Sequence, residues 1–189
     1  MGFTDEISKC IKVLKSGGTL LYPTDTIWGI GCDATNLIAI RKVYDIKHRP
    51  GHKAMIILLS DVSSIYNYIA EPPQSIFEYL RTVVKPTTVI YTNAINLPRE
   101  ILGAENSIAI RIVKDPFCKT LIDRFNKPLI STSANISGND SPQNFIEIHE
   151  EIKESVDYIV KYRQNDLSPK QPSSLIRVNE KGGIEVIRP

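Results

Sequence analysis

The sequence predicts an α/β domain built on a twisted, mixed sheet. Apolar runs of strand length alternate along the chain with segments in which apolar residues recur at helical spacing, an alternation typical of α/β domains. The last two predicted strands, 173–178 and 184–188, are separated by NEKGG, and this turn-like connection favours an antiparallel hairpin. A length of 189 residues suits one well-buried domain. We therefore expect residues 1–189 to form a single domain whose sheet is not a doubly wound parallel one.

Apolar spacing and end signals predict the elements of the first half of the chain. Thr4 can cap a first helix, and the glycine pair 17–18 ends it. A second amphipathic helix, 36–47, stops before Pro50, since a residue that precedes proline avoids helical backbone. The other predicted elements are a buried strand at 19–22, a strand at 54–59, and two short helices at 61–70 and 73–83.

The second half of the chain has more strands. Asp115 followed by Pro116 is a cap with proline at the first helical position, which predicts a helix to about Phe125. An acidic helix is expected around 145–155. The predicted strands are 87–91, 107–113, 128–130 running into a polar loop, 158–160, 173–178 and 184–188.

Composition favours a protein of a reducing cytosol. Cys10, Cys32 and Cys118 are far apart and form no CxxC pair, so neither a zinc site nor a disulfide framework is predicted. No apolar run reaches membrane-spanning length and the N-terminus lacks an apolar signal core. We expect a cytoplasmic protein without a membrane partner. A net charge of +2 neither requires nor excludes nucleic acid.

Three polar stretches could carry chemistry, although the GxGxxG and GxxxxGK[ST] fingerprints of nucleotide binding are missing. The first, 24–31, places Thr24 and Thr26 at the end of a buried strand, before two glycines that would let a ligand approach the backbone. The two threonines could equally satisfy a turn through hydrogen bonds from side chain to backbone. Taken alone, this stretch favours the interpretation as a turn over that as a binding crevice.

The second stretch, 47–53, holds Lys47, Arg49, Lys53 and two histidines just after a helix. Arginine and lysine at this density could gather phosphate oxygens. Basic residues at a helix C-terminus are also favoured by the helix dipole and are commonly only solvated. Pro50 and Gly51, within this stretch, lead the chain toward a buried strand and so fix the cations beside the sheet. This placement favours the functional interpretation.

The third stretch, 131–138, is a Ser/Thr/Asn/Gly-rich loop directly after an apolar strand. Its hydroxyls, amide and backbone N–H groups suit phosphate or carboxylate oxygens, although such residues are also the default composition of turns. Arg111 lies in an otherwise apolar strand, so its charge must be paired or face a cleft, and Arg188 has the same ambiguity. By themselves these features indicate an anion-binding α/β domain.

Taken in order, these stretches resemble the YrdC/Sua5 family of threonylcarbamoyl-adenylate synthases. YPTDTIWGIGCDATN resembles the family's opening motif, KHRP its Lys-x-Arg element and STSANISG its Ser-x-Asn element, while SIAIR, PSSLIRV and EVIRP match further landmarks. The resemblance implies a twisted, mixed, mostly parallel sheet with flanking helices and a large concave basic pocket. It also implies the short form of the family, without the additional C-terminal Sua5 domain.

The resemblance implies a nucleotidyltransferase that makes threonylcarbamoyl-AMP and pyrophosphate from L-threonine, bicarbonate or CO2, and ATP. The product would serve the t6A modification of tRNA at adenosine 37, through a separate transferase. Mg²⁺ is expected to be held mainly by phosphates, and no metal ligands are predicted in the chain.

The resemblance also implies roles for individual residues. L-Threonine would contact Thr26, Arg111 and Ser133, with Arg111 holding its carboxylate. The candidate catalytic residues are Lys47, Arg49, Ser133 and Asn135. The implied ATP contacts are Lys47, Arg49, Lys53, Ser107, Ser131, Asn135, Ser141 and Arg188.

The chain departs from the family pattern at Leu58, which stands where the family often carries a histidine near the threonine site. Three alternatives stand beside the threonine enzyme, of which Leu58 favours the one with a different amine. One is membership of the YciO-like branch of the family, and another is a related nucleotidyltransferase that acts on a different amine. The third is a module that binds tRNA or double-stranded RNA through the same basic pocket without adenylation.

Overall fold

Within residues 3–49, 55–178 and 183–189, which the computed structural model describes, the chain folds around a nine-stranded sheet. The strand order is β7-β1-β2-β6-β3-β5-β4-β8-β9. The strands are β1 (Leu20–Tyr22), β2 (Gly29–Gly31), β3 (Ile56–Leu59), β4 (Thr87–Tyr91), β5 (Ile108–Ile112), β6 (Leu129–Ser133), β7 (Tyr158–Ile159), β8 (Ser174–Val178) and β9 (Ile184–Arg188). The helices are α1 (Phe3–Lys15), α2 (Leu37–Ile46), α3 (Gln74–Thr82), α4 (Pro116–Phe125) and α5 (Glu150–Ser155).

The sheet is mixed, as predicted, but the expectation that it is mostly parallel is wrong. Over the described residues, β1 with β7, β3 with β5, and β4 with β8 are parallel, whereas the other five pairings are antiparallel. The predicted hairpin between β8 and β9 is confirmed. A further antiparallel arrangement comes from β2, which lies between β1 and β6 and which the sequence did not predict.

Three predicted helices differ from those observed. Thr4 lies inside α1, which already includes Phe3, so Thr4 is not the cap of this helix. The pattern at 61–70 is a 3₁₀ helix, Val62–Asn67, capped by the side chain of Asp61. The acidic helix starts only at Glu150, because the side chain of Asn144 accepts hydrogen bonds from the backbone of Ile146 and Glu147 and holds a turn there.

Apolar residues pack in two clusters. The larger cluster contains the buried side chains of α2 and α3 together with Ile57, Leu59 and Ile110 from the central strands. The second cluster contains the buried faces of α1 and α4 with Leu58 and Leu129. Since alternate residues of a strand point to opposite faces, the separation of Leu58 from Ile57 and Leu59 shows that helices cover both faces of the sheet. Among the described residues, no helix is both long and apolar enough to cross a membrane.

Glu6 of α1 is a buried carboxylate that joins this helix to the far edge of the sheet. It accepts hydrogen bonds from the backbone N–H of Lys161 at 2.7 Å and from the hydroxyl of Tyr158 at 2.9 Å. Lys9 adds an ion pair at 3.1 Å. Burial by itself raises the pKa of Glu6, but these hydrogen bonds and the lysine charge outweigh it and leave the pKa below its ordinary value.

Replacing Glu6 with glutamine is expected to lower the free energy of unfolding by about 1–2 kcal/mol at neutral pH, because charge-assisted hydrogen bonds are lost. A folded pKa below the unfolded value stabilises the protein above about 4.5, the ordinary value, and this contribution disappears as the pH falls through the folded pKa. The difference between wild type and Glu6→Gln should therefore shrink in acid. Urea denaturation between pH 7 and pH 3 measures this difference in the free energy of unfolding. Substitution of the exposed Glu78, Glu78→Gln, is the control. A difference that stays constant down to pH 3 would contradict the assignment.

Candidate active site

A cavity of about 370 Å³ opens on the sheet face that carries Leu58 and Leu129. The strand register explains its position, because Ser131 pairs with Ile56, and Ile56 with Ala109. Two residues further along, Arg111 lies on the same face. The predicted site residues that line the cavity are Thr26, Arg49, Arg111, Ser131, Ser133, Ser141 and Arg188. Its described lining includes these three arginines and no aspartate or glutamate.

The turn between β1 and β2 shows that the two threonines of the opening motif have different tasks. The hydroxyl of Thr24 donates to the carbonyl of Ile27 at 2.8 Å and accepts from the backbone N–H of Thr26 at 3.0 Å. Thr24 thus satisfies the turn. Thr26 lines the cavity, and its hydroxyl lies 2.9 Å from that of Thr24. Thr24 therefore fixes the position of Thr26 in the cavity wall.

The two glycines of β2 allow this turn to lie against β6. A Cβ atom at Gly31 would lie 2.5 Å from the carbonyl oxygen of Ile130, closer than real carbon atoms approach oxygen. A Cβ atom at Gly29, which lines the cavity, would lie 3.1 Å from the hydroxyl of Ser131. These glycines serve the close approach of strands and keep the cavity floor open.

Arg111 is buried in the cavity wall, with 5% of its side chain exposed. Its Nη2 atom lies 3.2 Å from Oδ1 of Asp25, which is itself 9% exposed. The buried Nε atom of Arg111 has no hydrogen-bond partner among the described residues. A buried N–H group without a partner is costly, and a carboxylate bound in the cavity is the kind of ligand that would satisfy it.

Arg49 and Arg188 approach the cavity from segments that are far apart in the chain. Arg49, just after α2, is half-buried and has its Nη1 atom 3.5 Å from the hydroxyl of Thr132. Burial lowers the pKa of this guanidinium, since the charged form is disfavoured there. Arg188 of β9 donates through Nη2 to the carbonyl of Ser173 at 2.8 Å. An anion in the cavity would therefore be stabilised by two positioned guanidinium groups.

Lys47, a predicted ligand contact, has its side chain engaged with the protein backbone in this structure. It is buried at the end of α2, and its ammonium donates to the carbonyl oxygens of Ser133 at 2.5 Å and Asn135 at 2.6 Å. The backbone N–H of Ser137 donates to the carbonyl of Lys47 at 2.9 Å. Burial, and secondarily the charge of Arg49, lower the pKa of Lys47 to about 8. Lys47 holds the polar loop 131–138 against α2, and it is not among the residues that line the cavity.

Asn135 also serves the shape of this loop. Its side-chain Nδ2 donates to the carbonyl of Asn139 at 2.6 Å, and its Oδ1 accepts from the hydroxyl of Ser133. The side chain of Asn135 does not line the cavity, whereas that of Ser133 does. The Lys47–Asn135 pair thus fixes the loop that directly follows β6, the strand that contains Ser131 and Ser133.

Replacing Lys47 with methionine is expected to lower the free energy of unfolding by about 2 kcal/mol, because two carbonyl oxygens lose a charged donor. Amide hydrogen exchange across 133–139 should become faster, while exchange in β3 stays unchanged. The exposed Lys42→Met on the same helix is the matched control. Unchanged exchange in the loop would show that the ammonium does not hold it.

Ser107, like Lys47 and Asn135, is not among the residues that line the cavity, and Lys53 lies outside the described residues. Ser107 is in the turn before β5, where its N–H donates to the carbonyl of Ala104 at 3.0 Å. Lys53 falls in 50–54, outside the described part of the chain. The sequence reading missed Ser173, a cavity residue whose hydroxyl lies 2.7 Å from that of Thr88, and it missed Asp25. A carboxylate directly between two threonines was the available signal for Asp25.

Leu58, at the family's histidine position, is fully buried among the side chains of the second cluster. It pairs in register with Arg111, but it is not among the residues that line the cavity. Within the described residues, no three His, Cys, Asp or Glu side chains gather as a metal site.

Comparisons with known proteins agree with this architecture. The threonylcarbamoyl-AMP synthase of Pseudoalteromonas translucida is 31% identical over 157 residues, which cover 82% of this chain and 84% of that protein. Sua5 of P. abyssi, solved in complex with L-threonine, superposes with a TM-score of 0.85 over 97% of this chain at 22% identity. E. coli YciO superposes with a TM-score of 0.82 over 96% of this chain and 87% of its own, at 21% identity. At these identities the two structures show the fold.

The chain spans about half of the P. abyssi Sua5 chain, 53% of its length. The model of the Sua5/YciO/YrdC family, described as telomere recombination, matches residues 12–189, and so nearly the whole chain. The chain belongs to the Sua5/YciO/YrdC family.

Proposed function

We propose that this protein is a threonylcarbamoyl-AMP synthase, which uses L-threonine, bicarbonate or CO2, and ATP and releases pyrophosphate. One observation carries the proposal: a single cavity holds a buried guanidinium with an unpartnered Nε, two further arginines, and a loop rich in hydroxyls. Such a cavity offers one place for a carboxylate and another for a polyphosphate. Curated relatives of similar length carry the same activity in their names.

The amino acid would bind where Arg111, Thr26 and Ser133 line the cavity. Arg111 would hold the carboxylate of L-threonine through Nε, and the hydroxyl groups would contact the amino acid's polar atoms. The buried, apolar Leu58 beside Arg111 offers no hydrogen bond. Selection of threonine over serine or alanine would instead depend on the shape of the apolar lining, which includes Ile27, Ile56 and Ala109.

The nucleotide would bind along Arg49, Arg188, Ser131 of β6 and Ser141, which line the same cavity. Lys53 and Ser107 are further proposed contacts. We assign Lys47 and Asn135 to support of the loop, because their side chains are engaged with it. Mg²⁺ would be carried by the phosphates and water, since the described cavity lining offers hydroxyls and no carboxylate.

The chemistry requires little covalent help from the protein. The amine nitrogen of threonine bonds to the carbon of CO2 and loses a proton, which gives a carbamate. A carbamate oxygen then bonds to the α-phosphorus of ATP, and the bond from this phosphorus to the bridging oxygen of pyrophosphate breaks. Arg49 and Arg188 would stabilise the charge on the transferring and leaving phosphates, and positioning would supply the rest of the rate.

The adenylate would be consumed by a separate transferase that modifies adenosine 37 of tRNA. Binding of tRNA or double-stranded RNA to the same cationic cavity is the competing proposal, and it predicts strong salt dependence without turnover of ATP.

ATP-dependent release of pyrophosphate in the presence of bicarbonate, with and without L-threonine, tests the proposed function. We expect release that requires threonine and that is weaker with serine or alanine. Release of pyrophosphate with another amine in place of threonine would show that the protein catalyses the same type of reaction on a different amine substrate. No release with any amine, although ATP binds, would refute the synthase.

A further inference from the structure

Asp25 occupies a position that none of the roles above explains. It lies between Thr24 and Thr26 in the turn from β1 to β2, yet its carboxylate points across to β5. Oδ1 lies 3.2 Å from Nη2 of Arg111, and Oδ2 lies 3.5 Å from the backbone N–H of Lys114. Asp25 is not among the residues that line the cavity. Of the two residues that its carboxylate contacts, Arg111 lines the cavity and Lys114 does not.

The ion pair is the electrostatic support of a buried cation. Among the described residues, Asp25 is the carboxylate paired with Arg111. The other carboxylate of this region, Asp115, accepts from Arg163 and from the backbone N–H of Cys118. A buried guanidinium that loses its carboxylate retains the cost of its own desolvation, so without Asp25 this side chain would move toward water.

The geometry of the pair is incomplete in a way that favours a ligand. Oδ1 of Asp25 receives no hydrogen bond from the described residues despite its short distance to Nη2, and Nε of Arg111 has none either. The carboxylate thus holds the guanidinium by charge while one N–H of the guanidinium stays unused. A second carboxylate, supplied by a bound amino acid, can take that N–H without displacing the first.

We propose that Asp25 is a positioning residue for the amino-acid substrate: it keeps the Arg111 guanidinium in the cavity wall and thereby sets the affinity for the substrate carboxylate. This inference rests on the proposed function. It predicts that Asp25 affects binding of the amino acid and not binding of the nucleotide. The proposed nucleotide contacts Arg49 and Arg188 reach the cavity from other elements and have partners of their own.

The test compares Asp25→Asn, which keeps the size and the acceptor for Lys114 but removes the charge, with Asp25→Glu and wild type. Pyrophosphate release gives KM for threonine and for ATP separately. We expect Asp25→Asn to raise KM for threonine 10- to 100-fold, leave KM for ATP within twofold, and recover in part in Asp25→Glu. The control is Asp33→Asn, which removes another buried carboxylate, one paired with the half-exposed Lys127 at 2.7 Å, and it should lower Tm without changing either KM.

Two results would overturn the inference. One is a KM for threonine within twofold of wild type in Asp25→Asn, and the other is an equal rise in both KM values. A crystal structure of Asp25→Asn provides a readout besides activity: the Arg111 guanidinium should leave its wild-type position, and an unchanged position would also overturn the inference. If wild type itself releases no pyrophosphate with threonine, the proposed function fails, whereas the crystal structure still decides whether Asp25 positions Arg111.

Discussion

Arg111→Lys is expected to lower kcat/KM for threonine by about 100-fold, which corresponds to about 3 kcal/mol. Lysine keeps the positive charge beside Asp25 but replaces a planar fork by a single ammonium on a different stem. The unpartnered Nε of Arg111, which would meet the substrate carboxylate, has no equivalent in lysine. Steady-state pyrophosphate release at varied threonine and saturating ATP measures the loss.

Arg177→Lys is the matched control for this substitution. Arg177 is also a strand arginine, in β8, but it is exposed and is not among the residues that line the cavity. The Arg177→Lys substitution should leave kcat/KM for threonine within twofold of wild type. If Arg111→Lys behaves like Arg177→Lys while wild type requires threonine, the carboxylate is held elsewhere and the assignment of Arg111 fails.

The sequence predicted best those elements whose signals are local. Asn36 and Lys47 bound α2 as expected, with the side chain of Asn36 accepting from the backbone N–H groups of Ile38 and Ala39. Asp115 and Pro116 start α4 in the same way. Capping and proline act within one turn of helix, so their residues carry the information themselves.

The elements that were missed depend on partners far away in the chain. β2 is Gly-Ile-Gly, a sequence with weak strand preference, and it becomes a strand because β1 and β6 pair with it on both sides. The orientation of β6 against β3 likewise follows from the complete fold and makes the sheet less parallel than expected. No local pattern reports which way two distant strands run.

The candidate site shows the same division. The residue types of three stretches indicated an anion site, and the fold brings Thr26, Arg49 and Ser133 to one cavity. The task of Lys47 could not be predicted, because a lysine after a helix can face solvent, a ligand or backbone carbonyls. Only the packed loop shows that its ammonium donates to the carbonyls of Ser133 and Asn135.

Arg49→Ala is expected to lower kcat/KM for ATP by at least 100-fold, and to weaken ATP binding more than threonine binding. The guanidinium lies in the cavity wall near Thr132, and burial lowers its pKa because the charge is partly desolvated. A phosphate oxygen would compensate that desolvation, and the charge would act in a site of low effective dielectric, where it counts for more than in water. Pyrophosphate release at varied ATP, together with calorimetric binding of ATP, measures both effects.

Arg41→Ala, on the exposed face of α2, removes the same charge eight residues earlier and should leave both measurements unchanged. The comparison separates a specific phosphate contact from the general field of a cationic protein, because a field effect would appear in both variants and would weaken with salt. An Arg49→Ala protein that binds ATP as wild type does would exclude the basic stretch from phosphate binding. A protein that binds ATP normally but turns it over slowly would assign Arg49 to the transition state, where the charge on the leaving pyrophosphate develops.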